Sequence, residues 1–269
     1  LHRRSQKDRE ERGMKDWRAS ILGVFFIVLM SSILTYAFLG YPEIGFVRPL
    51  GEFYLFNTYN FENQSWWSAS PNAVTGLLWD YRGYDTLYET MVFYVGIAAV
   101  AMFFEGHAKL RKTGGMTVIV RSSARLIFVF IITSAFAITI FSIKTPGGGF
   151  QGGSIMAIAY IAIIVSLSRG FLPEMDLDVE KAHLAKIAGL ALIAGLTIVP
   201  VVYSLASGSA AYALQNLPKA WAPFGYPTFL GFASLSGGLI IPIQLGEMIH
   251  VGMGFTIMFL LLTLKDKED

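Results

Sequence analysis

The sequence has no cysteine. That absence removes disulfides, cysteine-ligated iron–sulfur clusters, thiolate metal sites and the covalent haem motif in one step, so any redox centre must sit in another chain. Charge is also scarce. Asp, Glu, Lys and Arg supply 15% of the 269 residues, where a soluble domain carries about one quarter. The formal net charge is only +2, and the basic residues fall in short stretches between apolar segments. With no broad basic patch, nucleic-acid binding is excluded. What is abundant is apolar: 54% of residues are hydrophobic and the mean hydropathy is +0.53. No water-soluble core explains such a composition, which makes the lipid bilayer the expected surroundings.

A helix needs about 20 mostly apolar residues to cross the hydrocarbon layer. Four uncharged runs meet that length or come near it: Ala19 to Leu39, Leu126 to Ile143, Thr145 to Ser168 and Ile187 to Pro218. Two more spans form only if one acidic residue is admitted to each, Thr86 to Phe104 with Glu89 and Ile241 to Leu264 with Glu247. The expected fold is therefore all-α, a polytopic membrane protein with about six transmembrane helices.

Cytoplasmic loops retain Lys and Arg. With six spans, one side collects Arg3, Arg4, Lys7, Arg9, Arg12, Lys15 and Arg18, then Lys109, Arg111, Lys112 and Arg121, then Arg169, Lys181 and Lys186, then Lys265 and Lys267. The other side holds Arg48, Arg82, Lys144 and Lys219 with the aromatic-rich stretch from Tyr41 to Trp79. Both termini are thus expected in the cytoplasm. The first apolar run is too long for a signal-peptide core and lacks a clear small-x-small cleavage site, so it reads as an uncleaved helix.

The sharpest local pattern is Lys144-Thr-Pro-Gly-Gly-Gly-Phe-Gln-Gly-Gly153. Gly147, Gly149 and Gly152 satisfy a formal GxGxxG spacing, but a dinucleotide site needs a strand and a βαβ unit, and both flanks here are membrane helices. Two other readings stand. Pro146 and the glycines can form a tight turn with close helix approach. Alternatively, they leave backbone groups free near an ion path, as broken membrane helices do.

At the mouth of the second span, helical spacing puts Arg82, Asp85 and Glu89 on one face. Arg82 and Asp85 fit an interfacial anchor. Glu89 lies 15 residues before Phe104, about 22 Å along a helix, a depth at which a carboxylate must be neutral, paired or hydrated. The sixth span repeats the arrangement with Glu247, His250 and Gly254. A buried carboxylate can hold a proton or a sodium ion, and a neighbouring histidine adds a titrating site. Helix-end capping is the plainer reading of both glutamates. Haem is not expected, because His2, His107 and His183 fall in polar segments. The acidic stretch Glu174, Asp176, Asp178 and Glu180 reads as a solvated loop or a docking site for a basic partner.

The run Thr145-Pro-Gly-Gly-Gly-Phe-Gln-Gly-Gly153, opening one membrane helix after another, resembles the B subunit of Mrp-type multisubunit sodium/proton antiporters, and the resemblance extends over Val120 to Leu264. Ahead of it, Val74 to Glu89 looks like the carboxy-terminal membrane piece of the A subunit, which some related complexes carry as a separate small subunit. The family's Gly-His-Asn-like tripeptide is replaced here by Ser142-Ile143-Lys144, so no role of that histidine carries over. Pro146 and Phe150 match the family's motif, and Glu89 matches an acidic position of the A-subunit segment.

The resemblance implies four parts: a polar cytoplasmic N-terminus over 1–18, a two-helix A-like segment over 19–105, a basic cytoplasmic linker over 106–118 and a four-helix B-like domain over 119–269. It implies an accessory subunit in the ion-translocating module of an Mrp antiporter, or of a related respiratory complex such as a membrane-bound hydrogenase, in a prokaryotic cell membrane. The chain would not be catalytic alone. Partners would be A, C, D, E, F and G-like subunits, or hydrogenase-like iron–sulfur subunits. The chain would hold no cofactor or metal of its own, and sodium or protons would be the transported species. Ion-path candidates are Glu89, Glu247, His250, Lys144 and Asp85. Pro146, Gly147, Gly148, Gly149, Phe150, Gly152, Gly153 and Arg82 are motif or structural candidates. A purely structural membrane subunit, tightly packed through glycines such as Gly231, Gly237, Gly238, Gly252 and Gly254, is the alternative.

Overall fold

The computed structural model describes residues 2–39, 47–104, 108–110, 116–167, 179–225, 238–262 and 264–266, with side chains described apart from 2–16, 18–19, 108–110 and 264–266. His107, Arg111, Lys112, Arg169, Glu174, Asp176, Asp178, Gly231 and Gly237 lie outside the described residues.

The six expected spans are present as helices, and the fold is all-α. The chain divides into two compact units, 1–49 and 50–269. The first consists mainly of α1 (His2–Leu39), whose apolar part from Ser20 onward is exposed along its length. The second opens with α2 (Pro49–Thr58) and α3 (Ala73–Gly76), and a π-helical turn (Leu77–Tyr81) leads to α4 (Gly83–Phe104). Then come β1 (Ala108–Leu110), α5 (Val118–Ile140), a 3₁₀ turn (Phe141–Ile143), α6 (Gly149–Leu167), α7 (Val179–Ser207), α8 (Ile240–Leu262) and β2 (Leu264–Asp266). The two short strands pair antiparallel, with Lys109 opposite Lys265.

α8 is the most buried span and packs against α4, α5, α6 and α7. Helices in lipid gain little from excluding water and instead associate by close packing, which small residues permit. Glycine supplies that closeness on both sides of α8. A Cβ at Gly189 of α7 would lie 2.5 Å from the Gly246 carbonyl, and one at Gly153 of α6 would lie 2.8 Å from the Met248 carbonyl. At Gly254 it would lie 2.7 Å from the Phe93 ring of α4.

Several boundaries differ from expectation, because uncharged and helical are different properties; α6, for one, starts at Gly149 and not at Thr145. α7 starts at Val179 and encloses Lys186, whereas the uncharged run starts at Ile187. It ends at Ser207, and residues 208–225 form an irregular segment although they carry a single charge, Lys219. α5 begins at Val118 and includes Arg121 and Arg125; the Arg121 stem lets its Nε reach back past the helix start to the Met116 carbonyl at 3.0 Å.

Candidate functional site

The site is assembled around the break between α5 and α6. After Ile143 the chain leaves the helix, turns through Lys144 to Gly148, and re-enters at Gly149. Gly147 has φ 153°, and a Cβ there would lie 2.8 Å from the Ile138 carbonyl, so this position of the turn favours glycine. A broken helix end in an apolar surrounding must find partners for its carbonyls. Asn72 supplies them: its Nδ2 donates to the carbonyls of Ser142 (2.7 Å) and Thr145 (3.0 Å), and its Oδ1 accepts from Val74 N, capping α3. Thr75 Oγ1 donates to the Ser142 carbonyl at 2.9 Å. The Asn72→Ala variant is expected to lose about 1–2 kcal/mol, read as a lower melting temperature with faster amide exchange confined to residues 72–76 and 141–149.

Glu247 projects from α8 toward this break. Its side chain is buried, the residue being 6% exposed. Its carboxylate accepts from the Phe150 backbone N–H in the first turn of α6. The unpaired N–H groups and positive dipole end of a helix favour an anion at that place. Gly149 makes the approach possible: a Cβ there would collide with Glu247 Oε2 and lie 2.5 Å from the Gln244 carbonyl. One turn earlier on α8, the buried Gln244 side-chain oxygen and the Thr139 carbonyl, the latter at 2.6 Å, both lie within reach of the single Ser142 hydroxyl proton.

Glu89 reaches the same place from α4. It lines a cavity of about 200 Å³ with Glu247, Gly147, Gly148, Phe150 and Gln244, and Trp79 and Thr86 line it too. The two carboxylates are near enough for their charges to repel. Glu89 itself is exposed, whereas Glu247 is enclosed. The cavity therefore has one carboxylate at its rim and one in its wall.

The other candidates are placed elsewhere. Arg82 ends the π-helical turn and is not on a continuous helix with Glu89; its Nε donates to Asp85 Oδ2 at 2.6 Å, and both side chains are more than half exposed. Such a pair contributes about 1 kcal/mol or less and suits an anchor at the helix mouth. Lys144 and Pro146 are exposed on the turn and do not line the cavity. Gly152 and Gly153 bring α6 against α5 and α8: a Cβ at Gly152 would lie 2.9 Å from the Ala135 carbonyl. Phe150 stands edge-on to Phe93 and Phe255, each at 6.0 Å. His250 shares a face of α8 with Glu247 but lies beyond the cavity, fully buried against the rings of Phe93 and Tyr94. Among the described residues, no group of three His, Asp or Glu can hold a metal ion.

Two buried lysines escaped the sequence. Lys219, read as a loop residue, pairs with Asp80 at 2.6 Å with both side chains 1% exposed, and its Nζ also donates to the Trp67 carbonyl. Asn216 reinforces the pair, with its N–H toward Asp80 Oδ1 at 3.4 Å, its Nδ2 on Ser68 O at 2.9 Å and its Oδ1 accepting from Leu239 N at 2.6 Å. Burial pushes the Asp80 carboxyl above its ordinary value, against the pull of the Lys219 ammonium. Burial and the neighbouring Asp80 push the Tyr81 phenol up to about 12. The second missed charge is Lys186, inside α7 and 1% exposed, with Nζ 4.3 Å from the centre of the Tyr94 ring.

A domain family described as related to the MnhB subunit of Na+/H+ antiporter matches residues 119–257, more than half of the chain. The chain belongs to that family. Its MnhB-related region contains α5 to α8, hence the broken junction, Glu247 and His250, while Glu89 precedes it. An uncharacterized protein of Methanocaldococcus jannaschii is 27% identical over 115 residues, 36% of this chain, and the chain spans only 44% of that relative's length. Two solved structures share the fold. A chain of the membrane-bound sulfane sulfur reductase, an archaeal respiratory membrane complex, superposes with TM-score 0.61 at 24% identity, covering 91% of this chain and 98% of that one. A chain of the Mrp complex from Dietzia sp. superposes with TM-score 0.64 at 16% identity, covering 93% of this chain and 26% of that one.

Proposed function

We propose that the protein is an accessory membrane subunit of the ion-translocating module of an Mrp-type cation/proton antiporter or a related ion-pumping respiratory complex, and that the cavity between Glu89 and Glu247 belongs to its ion path. The observation that carries this reading is the cavity itself. Residues from α4, from the α5–α6 break and from α8 converge on it, with one carboxylate exposed and one enclosed. A sodium ion or proton arriving at Glu89 finds a second carboxylate beyond it, held by a helix N-terminus and bordered by the Gln244 side chain. Gly149 lets Glu247 reach the α6 N-terminus, and Gly147 and Gly148 line the cavity without side chains of their own.

In this reading the chain is multi-pass in a prokaryotic cell membrane with both termini cytoplasmic, holds no cofactor, and is not catalytic alone. Its partners are A, C, D, E, F and G-like antiporter subunits, or the iron–sulfur subunits of a respiratory complex. The exposed α1 and the outer faces of α4 and α5 would meet those subunits or lipid.

Glu89→Gln and Glu247→Gln in the assembled complex test the proposal, since each keeps shape and removes charge. Each is expected to lower sodium-dependent proton transport in inverted vesicles by about ten-fold or more, roughly 1.4 kcal/mol or more in the barrier, with assembly on a native gel unchanged. Transport within about two-fold of wild type for both variants, a barrier change under ~0.5 kcal/mol, would leave only a structural role.

A further inference from the structure

His250 is fully buried at the middle of α8, one turn past the cavity. Its Nδ1 lies 3.0 Å from the Lys186 carbonyl, so Nδ1 carries a proton and donates it. Its Nε2 is buried with no hydrogen-bond partner. A ring nitrogen enclosed without a partner is left able to take up a proton or to keep its lone pair, and a buried polar atom of that kind points to a role beyond packing. The aromatic surroundings also suit a cation: Tyr94 stacks on the imidazole at 6.1 Å and 21°, and Phe93 stands across it at 5.7 Å.

A competing cation is close by. Lys186, whose own carbonyl holds Nδ1, places its ammonium over the same Tyr94 ring. Two positive charges beside one buried ring would repel, so the imidazole and the ammonium are electrostatically coupled. The other titratable groups near the pair are Tyr94 on α4, whose ring lies against both, His183 on α7, which feels the Lys186 charge, and Glu247 one turn away on α8, itself beside Glu89 of α4. The close crossing of α7 and α8 at Gly189 and Gly246 brings the two basic residues together.

We propose that His250 and Lys186 form a proton-exchange site shared between α7 and α8, which takes protons from the Glu247 cavity or delivers them to it. The step breaks an N–H bond on one base and forms one on the other, directly or through water, with no net change in bonding. The inference rests on the cavity reading above, and the test separates the two.

In the assembled complex, His250→Gln, Lys186→Met, the double variant and Glu247→Gln are compared for sodium-driven proton movement across pH. The expected result is a loss of about ten-fold or more for each single variant, a changed pH profile, and a double variant no worse than the worse single, as residues acting as a unit require. A Glu247→Gln loss with His250→Gln and Lys186→Met both within about two-fold overturns the exchange site alone. A silent Glu247→Gln overturns the cavity reading. Hydrogen–deuterium exchange at the imidazole C2–H of His250 in the wild-type complex requires no variant. A rate that changes across pH as the ring titrates supports the site, and a flat profile from about pH 5 to 8 overturns it.

Discussion

Replacing Asp80 with alanine is expected to cost about 3–5 kcal/mol, because removing one member of a buried ion pair leaves the other charged and unpaired. Lys219 is the group left behind. Its Nζ would keep the Trp67 carbonyl and the Tyr81 ring, 5.8 Å from Nζ, but no anion. The consequence reaches the site, since Asp80 belongs to the π-helical turn that also contributes Leu78 and Trp79 to the cavity. Thermal unfolding of the assembled complex should show a clearly lower midpoint, with increased amide exchange over residues 66–82 and 214–222. The paired variant Asp80→Ala with Lys219→Met removes both charges and should recover most of the loss. An unchanged melting point for Asp80→Ala, or a double variant as unstable as the sum of the singles, would refute this account of the pair.

Gly149→Ala is the second large effect. The added methyl would lie 2.5 Å from the Gln244 carbonyl and 2.7 Å from Glu247 Cβ, and would clash with the carboxylate itself. Neither backbone can move without separating α6 from α8, so overpacking should cost about 1–3 kcal/mol. The larger consequence is functional. Glu247 would be driven from the α6 N-terminus, and transport should fall at least as far as in Glu247→Gln. Gly96→Ala and Gly195→Ala are the matched controls, because a Cβ at either meets nothing within 4 Å. These should be neutral or stabilising by up to about 1 kcal/mol, since alanine is the better helix former. Wild-type transport in Gly149→Ala would mean that the glycine serves no such approach.

Local signals in the sequence were sufficient for much of this. An uncharged run of bilayer length identifies a span whatever surrounds it, because lipid demands internal backbone hydrogen bonding of every segment. Glu89 and Glu247 stood out for the same reason, as carboxylates where charge is costly. The Pro146 to Gly153 run announced a break and a close approach through residue type alone.

What only the tertiary structure decided was which of these features meet. Asp80 and Lys219 are 139 residues apart, and nothing near either one marks a buried pair. Lys186 directly precedes an uncharged run and so read as a loop cation, until the α7–α8 crossing at Gly189 enclosed it. Asn72 has no local mark of its task, which is to satisfy carbonyls some 70 residues downstream. The sequence alone determined the six apolar spans and the break at Pro146 to Gly153, because those properties arise from neighbours along the chain. The fold decided that Glu89 and Glu247 share one cavity while Lys144 stays outside it, because side-chain convergence depends on helix rotation and crossing, set by packing between distant segments.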